Sequence, residues 1–360
     1  MSTKKYKIVK SESIVYKGRT LYRIKALKTF CVACTAISIV VKKGELGGFI
    51  ETENNLSQEG YCWIFNNAKV YDDARVSEDA KICGGAEIFD SAEVFGNAEI
   101  SGNTQIFYGA HVCGNAKVYG YAKVCGKARV YGEAKVYNFA KILDNAQVYD
   151  NAKIYENTIV AGDVQIYHNA QVYGNAWIYD DAFICDNARI YGLAKIFNKA
   201  IVYGNAKVYG NAQIFGKAKV YGNAEVYENA EIFDYAFIFG DAKVFSNAKI
   251  FGTTWLYCAA KIGDKLSLNK GKYIFATLNI DETLSEIEPI CYKISFAVRV
   301  IELKLPIEQG YIESLVSQFA EYDKLADSFC GQTYLSPKEK EILAMLSQCK
   351  EDVKILKKWC

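Results

Sequence analysis

Histidine, proline and net charge are scarce in this sequence, and each scarcity removes a class of function. Two histidines in 360 residues exclude any site built on three histidine ligands and leave a histidine-centred catalytic network short of parts. The formal net charge is +2, from 43 Lys+Arg against 41 Asp+Glu. There is thus no global basic field for wrapping a duplex and no acidic surface imitating one, so a nucleic-acid contact must be local. Long apolar runs are missing too. The longest, Phe30 to Val41, is too short to span a bilayer, and Met1-Ser-Thr-Lys-Lys-Tyr-Lys leads into no signal-like apolar segment. These features predict a cytoplasmic protein without a membrane role. Cysteine, in contrast, occurs twelve times. A chain this long with 51% apolar residues has other sources of stability than a disulfide scaffold, so free thiols are expected.

What is abundant is a six-residue repeat. From Ile64 to Ile262 every sixth residue is aliphatic, and of the 33 positions taken by sixes from Ala68 to Ala260, 29 are Ala; the others are Thr104, Thr158, Val164 and Thr254. The unit reads Asn-Ala-Lys-Val-Tyr-Gly, as at Asn205 to Gly210, and all three prolines (Pro289, Pro306, Pro337) lie outside it. A period of six fits neither a helix nor a long strand. Ala in, Lys out, Val in and Tyr out, followed by a Gly-Asn corner where φ > 0 is cheap for Gly and tolerable for Asn, makes a short strand and a bend. Three sides close a coil of 18 residues, so residues 18 apart stack. The region then holds roughly 11 coils at about 4.8 Å each, a rod about 53 Å long.

Stacking by eighteens sorts the outward positions into three faces. The first carries Tyr119, Tyr137, Tyr155, Tyr173, Tyr191, Tyr209 and Tyr227. Beside them runs a row from Lys81 to Lys261 with eight cations, among them Lys117, Lys135, Lys153, Arg189 and Lys207, against two carboxylates. This face has two readings: a single strand or other polyanion bound by stacking and charge, or tyrosines that simply suit strands, with lysines for solubility. On the other faces the usual charged position is taken by Trp177, Phe183, Ile201, Phe237 and Trp255. Apolar residues there call for a cover: a second copy, the C-terminal segment or a foreign partner. No cofactor or metal is expected. Cys31-Val-Ala-Cys34 has ligand spacing but no second pair or histidine nearby, and reads as buried structural thiols. Cys113 and Cys185 share a face but lie four coils apart, too far to pair.

The pattern resembles the hexapeptide-repeat family, most closely the uninterrupted Asn-Ala-Lys-Val-Tyr-Gly repeat proteins of phages, prophages and bacteria. The likeness extends to Gly18-Arg-Thr-Leu-Tyr-Arg-Ile-Lys-Ala-Leu27, Lys43-Gly-Glu-Leu-Gly-Gly-Phe-Ile-Glu51 and Asn55-Leu-Ser-Gln-Glu-Gly60. The resemblance implies a left-handed parallel β-helix, a handedness that the periodicity does not give. It also raises acyltransferase activity, but acyltransferases of the family use a catalytic His at a subunit cleft and an extruded loop. Here the repeat has no loop, and His111 and His168 fall about three coils apart.

The ends complete the plan. Residues 1–60 form an N-terminal β cap, with strands in Tyr6-Lys-Ile-Val, Ser13-Ile-Val-Tyr and Leu21-Tyr-Arg-Ile and a turn at Lys17-Gly18. The β-helix covers 61–264. Residues 265–360 form an α/β or helical segment with helices over Tyr311 to Phe329 and from the capping box Ser336-Pro337-Lys338-Glu339 onward, serving oligomerisation, docking or capping. The expected fold is therefore an all-β solenoid with capped ends. The expected function is non-enzymatic binding of a macromolecular partner by a homo-oligomer. By the resemblance, it is an inhibitor of a bacterial defence nuclease, acting on a bacterial protein or its bound nucleic acid. A self-assembling structural protein, a sugar-binding module and an acyltransferase are the alternatives.

Overall fold

The computed structural model describes residues 4–32, 39–258, 260–263, 265–275 and 353. They belong to two compact units, Met1–Tyr221 and Gly222–Cys360.

In the first unit the chain opens with an antiparallel sheet. Strand β1 (Tyr6–Tyr16) turns at Lys17-Gly18, both with positive φ, into β2 (Arg19–Ala26). A small hairpin of β3 (Phe30–Val32) and β4 (Ile39–Val41) follows. Strand β5 (Leu46–Ile50) then lies antiparallel to β2 and parallel to the repeat strand Lys69–Val70, with Phe49 opposite Lys69 and Ile50 opposite Val70. The cap thus hands its edge directly to the solenoid. Asn55 is fully buried at this junction and fully used: its Nδ2 donates to the carbonyls of Asp72 and Ala74, and its Oδ1 accepts from the amides of Glu51 and Thr52.

From Trp63 onward the strands are two residues long and recur every six residues, each paired in parallel with the strand 18 residues on, as Lys117 with Lys135 and Val118 with Val136. The ladder follows from the repeat. Ala and Ile/Val positions are sealed at 0% exposure along the axis (Ala134, Val136, Ala152, Ile154), because only a small residue fits at the bend while a β-branched one fills the centre. Backbone bonds run between coils, as from the Lys117 amide to the Ala134 carbonyl at 2.9 Å and from Tyr119 to Val136 at 3.0 Å, so each coil pairs its backbone polar groups with its neighbours. Every sixth residue from Asn66 to Gly252 has positive φ, half of them glycine. The left-handed residue occupies the Gly position of the repeat; the Asn position that follows it is not left-handed. Aspartates that replace Gly there accept the amide of the corner stacked 18 residues on: Asp144 from Gly162, Asp180 from Asn198, Asp186 from Gly204. That bond offsets the cost of a left-handed non-Gly residue.

The second unit continues the pattern with Glu225–Val226, Lys243–Val244 and Lys261–Ile262 on one face. Two longer strands, Lys249–Cys258 and Ser267–Phe275, pair in parallel. Their register shifts: Ile250 meets Leu268, but Thr253 meets Lys270, seventeen residues on instead of eighteen. The solenoid has about 12 turns, close to the roughly 11 coils that the repeat count gives. The helices expected over Tyr311 to Phe329 and beyond Ser336 lie outside the described residues.

Candidate binding faces

On the first face of unit Met1–Tyr221, the tyrosines form a continuous stack. Ring centroids of Tyr119, Tyr137, Tyr155, Tyr173, Tyr191 and Tyr209 succeed one another at 4.8–5.0 Å with interplanar angles of 3–5°. Each ring face is therefore covered by the next ring, and the surface presents ring edges and hydroxyls. Bases cannot stack between rings already in contact, so this array is a row of edges and O–H groups, not a set of open stacking platforms. Burial pushes the phenols of Tyr119 and Tyr137 up, and Tyr155 is pushed up to about 12 by burial and by its neighbours Tyr173 and Tyr137. These groups stay neutral hydrogen-bond donors at physiological pH. Tyr227, in the second unit, stacks on Phe245 at 5.4 Å.

The adjacent cations divide into two sets. Glu99 lies between Lys81 and Lys117, at 3.4 and 2.9 Å, which offsets part of the charge at the beginning of the row. Hydrogen bonds from Lys117 and its charge hold the Glu99 carboxyl below the usual range despite partial burial. Further on, Lys135 is strand-paired with Lys117 and Lys153, and Arg189 with Lys207. Among the described residues Lys135, Lys153 and Arg189 have no ion-pair partner. Like charges facing across parallel strands are unfavourable, so this stretch carries an unmet demand for anions. The corner carboxylates near it are partly occupied: Asp150 accepts the His168 amide, and Asp186 accepts the Gly204 amide and lies 2.9 Å from His168 Nδ1.

The apolar outward residues fall into separate places. Trp177 is 48% exposed and strand-paired with Ile159, and Lys195 Nζ lies 5.9 Å from its ring centroid. Phe183 and Ile201 pair with each other on the next face, half-buried. In the second unit Phe237 packs on Trp255 at 5.2 Å. One cover unforeseen in the sequence is the chain's own N-terminal hairpin: Tyr16 and Leu21 pack on Tyr71 and Phe89. Its tip is fixed by Glu87, which accepts from Tyr16 at 2.6 Å and Lys17 at 2.8 Å. Burial would raise the Glu87 carboxyl, but these bonds hold it below the usual range. No repeat signal announces this contact, because the hairpin lies outside the repeat.

The two histidines are placed apart. His111 sits on a strand 3.7 Å from Glu93, and His168 at a corner between Asp150 and Asp186. Six cysteines are thiols outside any disulfide: Cys62 and Cys185 are buried, Cys83, Cys113 and Cys125 half-buried, and Cys31 exposed. Cys31 departs from the buried thiol expected, because it lies on the outer side of the β3–β4 hairpin; Cys34 lies outside the described residues. Among the described residues no group of three or more His, Cys, Asp or Glu side chains could hold a metal ion, and no helix is long and apolar enough to cross a membrane. Comparison with protein-family models and with curated proteins gives no match.

Proposed function

We propose that the protein is a non-enzymatic scaffold that engages an anionic macromolecule along the first face of unit Met1–Tyr221. The observation that carries this reading is the unpaired cationic stretch of Lys135, Lys153 and Arg189 beside a rigid row of phenol hydroxyls. Stacked phenol donors lose little entropy on binding, and regularly spaced cations favour a partner with repeated anionic groups. Single-stranded nucleic acid, free or held by a bacterial protein, has that chemistry and supplies acceptors for the hydroxyls. The resemblance to phage and prophage repeat proteins extends the proposal to a defence nuclease, inhibited when this face grips its bound strand. The test is fluorescence anisotropy with a labelled single-stranded homopolymer at low salt. The expected result is saturable binding that Lys135→Glu/Lys153→Glu/Arg189→Glu weakens by at least about tenfold. Absence of binding by the wild-type chain overturns the proposal.

Self-association is a second reading, favoured by the exposed Trp177 with its neighbour Ile159. Sedimentation of the wild type against Trp177→Lys tests it: a species that dissociates in the variant supports it, and a monomer in both rejects it.

A further inference from the structure

At the junction of cap and solenoid, a lysine and a cysteine are buried against each other. Lys5 is 1% exposed and Cys62 0%, and Lys5 Nζ lies 3.2 Å from Cys62 Sγ. The amine is held in place by three carbonyls, those of Glu59 at 3.2 Å, Gly60 at 3.2 Å and Cys62 at 3.1 Å. The sulfur has only long contacts otherwise, 3.7–3.8 Å to the carbonyls of Ser57, Glu59 and Val76. A buried lysine is rare, and its usual partner is a carboxylate; here, among the described residues, the side chain that hydrogen-bonds the amine is a thiol, with the Phe30 ring centroid 6.0 Å away.

We propose that Lys5 and Cys62 form an oxidative cross-link site, closing to a sulfenamide when the protein meets hydrogen peroxide. Peroxide oxidises the thiol first. The O–O bond breaks, sulfur gives up two electrons, an S–O bond forms, and the thiol proton leaves with the other oxygen as water. The lone pair of the Lys5 amine then attacks sulfur. The S–O bond breaks, and the departing hydroxide takes a proton from the amine nitrogen to give a second water, leaving an S–N bond. The net change is the loss of two hydrogens. Thiol exchange reverses it, returning the amine and, after a second thiol, the free cysteine.

Three features favour this product over further oxidation. The amine is already within van der Waals distance of sulfur, so ring closure needs only a small approach. Burial pushes the Lys5 amine down toward its neutral, nucleophilic form. Burial also withholds bulk peroxide from the sulfenic acid once formed. The same burial pushes the Cys62 thiol up, so the first step is slow and follows local opening of the cap. Once formed, the bond ties the first residues of the chain to the entry of the solenoid and fixes the cap. It is independent of the proposed binding face.

The experiment is peroxide treatment of the folded full-length chain, alkylation of remaining thiols, digestion at acidic residues and mass spectrometry. The expected product is a peptide pair joining Lys5 to Cys62, lighter by two hydrogens than its parts, lost on thiol reduction and absent from Lys5→Arg. Recovery of Cys62 as alkylated thiol, or as sulfinic or sulfonic acid with Lys5 unmodified, overturns the proposal. Both outcomes are read on the wild-type protein, so neither depends on a variant folding.

Discussion

Replacing Tyr155 by alanine removes the ring between Tyr137 and Tyr173, with centroid distances of 4.8 Å and interplanar angles of 3° on either side. Each stacked contact is worth about 0.5–1.5 kcal/mol, and both faces of the ring are withdrawn from water at about 25 cal/mol per Å². The expected loss is roughly 2–4 kcal/mol, which lowers the urea midpoint by about 1 M for an m-value of a few kcal/mol per M. Tyr155→Phe keeps the ring, and the hydroxyl it removes has no hydrogen-bond partner among the described residues, so its stability should lie within about 0.5 kcal/mol of wild type. The assay is equilibrium urea unfolding followed by circular dichroism, with near-ultraviolet signals reporting the tyrosine stack. If Tyr155→Ala unfolds with the wild type, the stack contributes nothing and the tyrosines are not structural. If Tyr155→Phe falls as far as the alanine variant, the stabilisation lies in the hydroxyl and the reasoning is equally wrong.

Further outcomes follow from the corners and the charged groups. At Gly126 (φ +77) an added Cβ would meet backbone atoms of Asp144 at 2.7–2.8 Å, so Gly126→Ala should cost at least about 2 kcal/mol in urea unfolding. Asp180→Gly loses the bonds to Asn198 at 3.1 and 2.9 Å but relieves a left-handed Cβ, and should come out within about 1 kcal/mol of neutral; Asp180→Ala, which gains no relief, should be clearly worse. Because Glu87 is held below the usual carboxylate range, its contribution is present above about pH 4.5 and fades as pH falls through its folded-state value. A pH series of thermal melts should therefore show Glu87→Gln losing less stability on acidification than wild type. The phenols run the other way. Tyr155 and Tyr71 are pushed up to about 12, so their contribution is intact below about pH 10 and is lost between there and 12. A spectrophotometric titration should show phenolate appearing late in the folded protein, and early appearance would contradict the burial argument.

Much of the architecture was legible because the repeat is local and periodic. Once Ala68 and Val70 set inward positions, every sixth residue inherits the assignment, and Tyr119, Tyr137 and Tyr155 must align. The identity of the left-handed corner residue was half legible: Gly and Asn are both tolerant of positive φ, and only the backbone separates the Gly position from the Asn position after it. The candidate face was legible as a row but not as chemistry. Sequence spacing places Lys117 beside Lys135; it does not show that Glu99 reaches Lys117 at 2.9 Å, nor that the tyrosine ring faces are spent on one another. Contacts without period were illegible altogether. Lys17 on Glu87 and Lys5 on Cys62 join residues 70 and 57 positions apart, across segments that share no repeat.

The salt dependence of single-strand binding tests the central claim most directly. Each phosphate neutralised on a single strand contributes about −0.7 to the slope of log K against log salt. If Lys135, Lys153 and Arg189 meet the strand, the wild-type slope should be near −2, and Lys135→Gln/Lys153→Gln/Arg189→Gln should flatten it toward zero with an unchanged fold by circular dichroism. A slope that the three substitutions leave unaltered would place any binding elsewhere on the molecule and contradict the account.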